Sequence, residues 1–485
     1  MHHGMLVGDE SVPTMLHISD LHRTSEPRPS NDELIAAIVS DAKRWEAEGI
    51  PLPDLIVVSG DLIQGVQLDA SDADSEIEGQ YREVADFLRT LAQEFVDSDR
   101  SKVIVVPGNH DVHWVRSLSA MRPLATCPAR TGTKAYEANS KVRWNWKDQR
   151  TYEIVDGDMY ASRLELFRKF QRDFYEGLDP SPLPKVNGDL VFAEYPDLGL
   201  VVAGFASWHG NDCFCHVGDI DPSMLSASQK LLARSEVPIA VAVWHHSIVG
   251  GPRESDYMDQ RVIHRLVDFG FHVGLHGHQH YAAAAPFELR LPNLTSMAVV
   301  GAGSLAVGDS ALPMGERRQF NVVVIDPDHE SITVHVRGMS PAGVFTGSHR
   351  DDFGGNTFIK LKLPSALGRS HKPTITQRLD DAMTAVGARQ FERALRILSE
   401  ISPYMPERAR QIEIKALDGI GCRERLIEVL SPPQNVDEAM KLMSILLDAG
   451  RFDEAARQLE VSRTMIDPVF YAELAERIAV GRMAS

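Results

Sequence analysis

The sequence predicts an α/β protein: a layered core of sheets flanked by helices, followed by a helical domain. Three observations carry this. Short, almost wholly apolar runs recur along residues 14–337, as strands buried on both faces require. Amphipathic segments with helix start signals separate the early runs. From about residue 376 the pattern becomes helical to the end.

The elements follow in order. "TMLHI" (14–18), "LIVVS" (55–59), "KVIVVP" (102–107), "LGLVVAGF" (198–205), "PIAVAVW" (238–244), "FHVGL" (271–275) and "SMAVVGAG" (296–303) read as strands. "FNVVVID" (320–326) and "SITVHVR" (331–337) read as a closing pair. "SNDELIAAIVSDAKRWEAE" opens with a capping box, Ser30 to Glu33, and keeps helical periodicity. "EIEGQYREVADFLRTLAQEF" is a second helix. The sheets with their helices form one domain, 1–350. Residues 351–375 read as a linker containing a short strand. Residues 376–485 read as a helical domain. There "RQFERALRILSE" (389–400) and "GRFDEAARQLEVSR" (450–463) resemble each other, in the manner of tetratricopeptide-type helix pairs or of an ordinary bundle.

Size and composition agree. The 485 residues exceed what one core normally supports. With 43% hydrophobic, 24% charged and 7% aromatic residues, the chain has a soluble globular composition. No apolar run approaches the roughly 20 residues that span a bilayer. "MHHGMLVGDESVP" lacks the basic and apolar regions of a secretory signal. Cys127, Cys213, Cys215 and Cys422 are too scattered for a disulfide framework. A cytoplasmic protein without membrane association is the expectation. The net charge of −18 argues against broad adhesion to nucleic acid, though a local basic patch stays compatible with it.

Polar clusters follow the apolar runs. Asp20 and His22 follow the first and Asp61 the second; Asn109, His110 and Asp111 follow the third. His245 and His246 come after "PIAVAVW", and His278 and His280 after "FHVGL". Each is weak alone, since Gly-Asp is a common turn and a paired histidine is often surface. Together they gather at the carboxyl edge of a sheet, where open α/β sheets bind ligands.

The set DLH, GDLIQG, GNHD, HHS and GHQH resembles the calcineurin-like metallophosphoesterase superfamily over residues 14–340. Ser247 departs from the proline that many members carry. The resemblance implies a four-layer α/β/β/α sandwich and two divalent transition-metal ions, with Mn²⁺ favoured and Fe or Zn²⁺ compatible. It implies that Asp20, His22, Asp61 and His280 hold one ion, and Asp61, Asn109, His245 and His278 the other. His110 would be catalytic, with Asp111 orienting it, and His246 a neighbour either behind the ligands or in contact with substrate. Imidazole, carboxylate and amide donors suit such ions better than Mg²⁺ or Ca²⁺. A carboxylate can bridge a pair of them, which activates water for in-line attack on phosphorus. His276 stands apart and is expected to be structural.

The substrate is less legible. Phosphoprotein phosphatases carry arginines beside the Asp and Asn motifs, where this chain has Gln64 and Pro107. A phosphodiester of a nucleotide or nucleic acid is therefore favoured over a phosphoprotein or a small phosphomonoester. Residues 113–152 hold Arg116, Arg122, Arg130, Lys134, Lys141, Arg143, Lys147 and Arg150 against Glu137 and Asp148. Trp114, Tyr136, Trp144, Trp146 and Tyr152 are interleaved, a mixture suited to nucleic acid, with a solvated loop as the alternative. Arg143 and Lys147 are the expected substrate contacts there. His216, with His209, is expected on a second rim loop, in contact with substrate or simply at the surface. The helical domain 376–485 is expected to bind a protein partner or a second copy, and partner binding as the main role is the alternative to catalysis.

Overall fold

The computed structural model describes residues 12–124, 140–184, 189–250, 256–289, 295–364, 375–399 and 406–484. The chain divides into two compact units, Met1–Arg369 and Ser370–Ser485.

The strands of the first unit are β1 (Thr14–Ile18), β2 (Leu55–Ser59), β3 (Val103–Val106), β4 (Met121–Pro123), β5 (Val142–Asn145) and β6 (Arg150–Ile154). They continue with β7 (Leu190–Tyr195), β8 (Leu200–Phe205), β9 (Ile239–Val243), β10 (Val273–His276), β11 (Ala283–Leu289) and β12 (Thr295–Gly301). The last are β13 (Gln319–Ile325), β14 (Ser331–Met339), β15 (Phe345–Gly347) and β16 (Phe358–Lys362).

One sheet runs β15-β14-β13-β1-β2-β3, with β16 also on β14. The second runs β11-β12-β10-β9-β8-β7. In the first, parallel β1-β2-β3 form one end and adjoin antiparallel β13; in the second, parallel β8-β9-β10-β12 are bordered by antiparallel β7 and β11. The period-2 alternation sorts side chains between layers. Leu200, Val202, Ile239, Val241 and Val243 belong to the core shared with the first sheet. Their neighbours Val201, Ala203, Ala240, Ala242 and Trp244 pack with Met224, Leu225, Ile263 and Leu266 of helices Pro222–Leu232 and Gln260–Asp268. Helices Asn31–Ala42 and Ala73–Phe95 supply Leu34, Ile38, Val84 and Leu88 on the other side. The result is the expected four-layer α/β/β/α sandwich. Ser30 and Glu33 do form the capping box.

Two departures matter. The basic segment is no simple loop: β4-β6-β5 make a small antiparallel sheet. Residues 351–375, read as a linker, contribute β16 to the first sheet, so the first unit runs beyond residue 350. The short strand expected in that segment is "FIKLK", and it pairs with β14 instead of standing in a free connector.

Among the described residues, the second unit consists of helices Ile375–Gly387, Phe391–Ser399, Pro406–Ile420, Arg423–Leu430, Val436–Asp448, Phe452–Val461 and Pro468–Ala484. The two similar segments share a packing device. A Cβ at Gly419 would lie 2.4 Å from the Phe391 ring, and one at Gly481 would lie 2.1 Å from the Phe452 ring. A ring seated on a glycine lets neighbouring helices approach closely.

Candidate metal centre

The polar clusters leave the ends of β1, β2, β3, β9 and β10, and the chain bends sharply to bring them together. Asp20, His22, Asp61, His278 and His280 all adopt left-handed backbone, with φ of 53°, 43°, 49°, 80° and 57°. Non-glycine residues there cost of order 1–3 kcal/mol each and persist where the surroundings over-determine them. Those surroundings are visible. Asp20 N–H donates to the Gly60 carbonyl and His22 N–H to that of Asp61, both at 3.0 Å. His278 N–H donates to Asp20 Oδ2 at 3.0 Å, and His110 N–H to Asp61 Oδ1 at 2.9 Å. Glycine is required where these turns meet side chains. A Cβ at Gly108 would lie 2.2 Å from Asp61 Oδ1, and one at Gly277 would lie 1.8 Å from Ser19 Oγ.

The side chains converge. Asp61 Oδ2 lies 3.2 Å from His245 Nε2 and 3.7 Å from His22 Nε2. Asp20 Oδ1 lies 3.3 Å from His280 Nε2 and 3.9 Å from His22 Nε2. Asn109 Oδ1 lies 3.1 Å from His245 Nε2. Imidazole nitrogens face each other at 3.2 Å twice, His22 Nε2 with His280 Nε2 and His245 Nε2 with His278 Nδ1. Their far nitrogens are tied off: His245 Nδ1 to the Ser59 carbonyl (2.8 Å), His280 Nδ1 to that of Ala311 (2.9 Å), and His278 Nε2 to Asp256 Oδ2 (3.3 Å). Protons held at the back leave lone pairs at the front, the arrangement of metal-ligating histidines.

The electrostatics say the same. Burial resists ionisation of His245 and His280, yet the carboxylates of Asp61 and Asp20 respectively lift both to about 9. Burial pushes His22 down to about 3. Burial works against Asp20 and Asp61 as carboxylates, but the facing histidines hold both below the usual range. Among the described residues, Asp20 Oδ1 has no hydrogen-bond partner despite being buried. A divalent cation would replace the protons on these imidazoles and satisfy that oxygen. Among the described residues, three sets bring one donor atom from each member within 4.8 Å of the others: Asp20, His22 and His280; His22, Asp61 and His110; Asp61, His245 and His278. Asp61 and His22 each belong to two of them, and of the two Asp61, with two carboxylate oxygens, is the one able to bridge. The donors therefore fit divalent metal ions.

Other expected residues fall elsewhere. Asp111 does not touch His110; its Oδ2 accepts the N–H groups of Gly108 (2.8 Å) and Leu62 (3.2 Å), and its Oδ1 accepts the Tyr81 hydroxyl (3.1 Å). It ties together the loops that carry Asp61 and Asn109, and burial lifts it to about 7. His110 is oriented by the Gln64 carbonyl, 2.9 Å from Nδ1. His246 is buried, held by Ser207 Oγ (2.8 Å) and Asn211 Oδ1 (3.0 Å), so it faces protein instead of substrate. Arg143 is likewise buried, its Nε 2.5 Å from Asp212 Oδ2, and is unavailable as a substrate clamp. His276 is buried against Trp244, in a structural position. His216 stacks on Trp114, and Lys147 is exposed in the β5–β6 turn. Arg130, Lys134, Tyr136, Glu137 and Cys127 lie outside the described residues. Cys213, Cys215 and Cys422 are free thiols. Sequence reasoning missed Asp256, which lies 22 residues before its partner His278 with no motif to flag it. It also missed the main-chain carbonyls of Ser59, Gln64 and Ala311, which residue identity does not encode.

Paired sheets that collect carboxylates, an amide and imidazoles at their strand ends define a metallophosphoesterase. The chain belongs to the calcineurin-like phosphoesterase family, whose model matches residues 13–282 and so takes in every cluster from Asp20 to His280. Several solved structures are similar. TT1561 of Thermus thermophilus is 13% identical, over 64% of this chain and 94% of that one, with a TM-score of 0.30. A structure of PhoD is 11% identical, over 74% and 73%, with a TM-score of 0.39. The calcineurin-like phosphoesterase YfkN from Bacillus subtilis is 11% identical, over 79% and 98%, with a TM-score of 0.27. No curated protein matches the sequence. No helix among the described residues is long and apolar enough to cross a membrane.

Proposed function

We propose that this chain is a dinuclear metal-dependent phosphodiesterase acting on nucleotide or nucleic-acid phosphodiesters. The observation that carries the reading is Asp61, whose carboxylate belongs to two donor sets at once. Asp20, His22, Asp61 and His280 would hold one ion; Asp61, Asn109, His245 and His278 would hold the other. Such an ion pair, with Mn²⁺ favoured, supplies an activated water and neutralises charge developing on the phosphoryl oxygens. The chain's own residues supply the rest. The Gln64 carbonyl accepts the proton on His110 Nδ1, which leaves Nε2 as the nitrogen that would take up a second proton and pass it to the departing oxygen. His22, edge-on to His110 at 4.6 Å between ring centroids, packs against its ring.

A diester is favoured because the arginines near these motifs are occupied. Arg23 donates to the Pro29 carbonyl and Asn31 Oδ1, and Arg116 pairs with Asp74 and Glu165. A phosphomonoester dianion would need such clamps free. The test is a panel with added Mn²⁺: dinucleotides, cyclic nucleotides, single- and double-stranded nucleic acid, small diesters and a phosphopeptide. Preference for the phosphopeptide would overturn the reading.

A second reading, partner binding through the helical unit, draws on the last helix. Val469, Phe470 and Val480 there stand 74%, 55% and 62% exposed. Light scattering of the full chain with Val469→Ser and Phe470→Ser tests it; an unchanged molecular mass would argue against self-association through that helix.

A further inference from the structure

The turn following β8 carries His216, and its shape is fixed from several sides. Asp212 Oδ1 accepts the N–H groups of Phe214 (2.8 Å) and Cys215 (3.0 Å). Asp212 Oδ2 accepts from Arg143 Nε (2.5 Å) and the Tyr160 hydroxyl (2.8 Å). Arg143 Nη2 also donates to the Gly210 carbonyl (3.2 Å), and Arg163 Nε to that of Asn211 (2.8 Å). Ser117 Oγ accepts Cys213 N–H (3.2 Å), while the rings of Tyr152 and Phe214 meet at 4.9 Å. Arg143, Tyr152, Tyr160 and Arg163 come from the β4-β6-β5 sheet and the short helix and turn after it. That insert therefore grips the turn instead of presenting Arg143 outward.

The product of this grip is a wall beside His110. His216 stacks on Trp114 with ring centroids 5.5 Å apart and planes 11° from parallel, and Trp114 lies 5.6 Å from His110. Through Trp114 the stack adjoins His110, whose own ring meets that of His22 at 4.6 Å. Among the described residues, Trp114 Nε1 and His216 Nε2 are buried without a hydrogen-bond partner, which calls for an explanation in any native fold.

We propose that the Trp114–His216 stack is the leaving-group subsite, that it receives a planar base, and that Arg143 is a positioning residue acting through Asp212. The proposal rests on the phosphodiesterase reading: if His110 protonates the departing oxygen, the departing group lies on His110's side, and the next groups outward are Trp114 and His216. A flat aromatic surface there favours a nucleoside over an aliphatic alcohol, because every base presents a face to stack.

The test uses the full chain with Mn²⁺ and two diesters: a dinucleotide, and the same molecule whose leaving nucleoside lacks its base. The wild type should prefer the dinucleotide in kcat/KM by about 10-fold or more. His216→Ala should lose most of that preference, and His216→Phe should restore it. Arg143→Lys, and Tyr160→Phe should Arg143→Lys fail to fold, should lower the same ratio with metal content retained. Equal wild-type rates on the two diesters, or variants that slow both equally, would overturn the subsite while leaving the phosphodiesterase reading intact. Failure to hydrolyse either diester would bring down the reading itself, and the subsite with it.

Discussion

Asp61 Oδ2 and His245 Nε2 face each other 3.2 Å apart, both side chains buried, although 184 positions (245 − 61) separate them in the chain. Two sheets meet at that contact, β2 delivering the carboxylate and β9 the imidazole. Asp61→Asn should therefore remove charge from both donor sets, lower metal content and abolish turnover of bis(p-nitrophenyl) phosphate. Elemental analysis beside the assay checks it, and unchanged turnover with added Mn²⁺ would contradict the bridging role.

His110→Ala should behave differently. Losing a general acid typically costs about 10²–10⁴-fold in rate, while the ions stay bound. Loss of metal along with activity would make His110 a ligand, which its place beside His22 and Asp61 also permits.

Asp111→Ala should act on stability and metal affinity together. It strips the acceptor from two buried N–H groups, those of Leu62 and Gly108. At about 1–3 kcal/mol for each orphaned donor, the fold should lose at least about 2 kcal/mol in chemical denaturation. A variant as stable as wild type would show that the carboxylate is dispensable to these loops.

His17 makes acid sensitivity measurable. Burial pushes its pKa down to about 3, with His276 adding to the effect. The native state keeps it neutral, whereas the unfolded chain takes up a proton below about 6.5. Its contribution is thus level above that pH and turns destabilising as pH falls toward 3, at up to about 1.4 kcal/mol per pH unit. His17→Gln, which can still hydrogen-bond Ser59, should flatten the loss of stability between pH 6.5 and 5. Parallel curves for variant and wild type would refute it.

Lys147 and Arg150 remain exposed at the β5–β6 hairpin near Trp146, itself 72% exposed. Charge reversal of both should weaken hydrolysis of single-stranded nucleic acid more than that of a dinucleotide, and low salt should widen the gap. Equal effects would leave the hairpin as a support for β6 alone.

The layered fold was legible because its central strands are apolar throughout, and the metal-type residues because they follow those strands in a fixed order. What stayed hidden was the use made of the basic insert. Arg143 and Lys147 look alike in sequence, yet one is buried on Asp212 and the other is in solvent. Asp212 lies 69 residues from Arg143 and belongs to no motif, so nothing local distinguishes the two cations. The sequence leaves two places open for His246 for a similar reason: its acceptor Asn211 sits on a turn whose path the sequence does not reveal.

The central claim is that a pair of cations shares Asp61. Metal analysis and electron paramagnetic resonance of the Mn²⁺-loaded protein test it most directly. Two ions per chain with an exchange-coupled spectrum are expected, lost in Asp61→Asn. An isolated, uncoupled Mn²⁺ signal at one ion per chain, unaltered by Asp61→Asn, would contradict it.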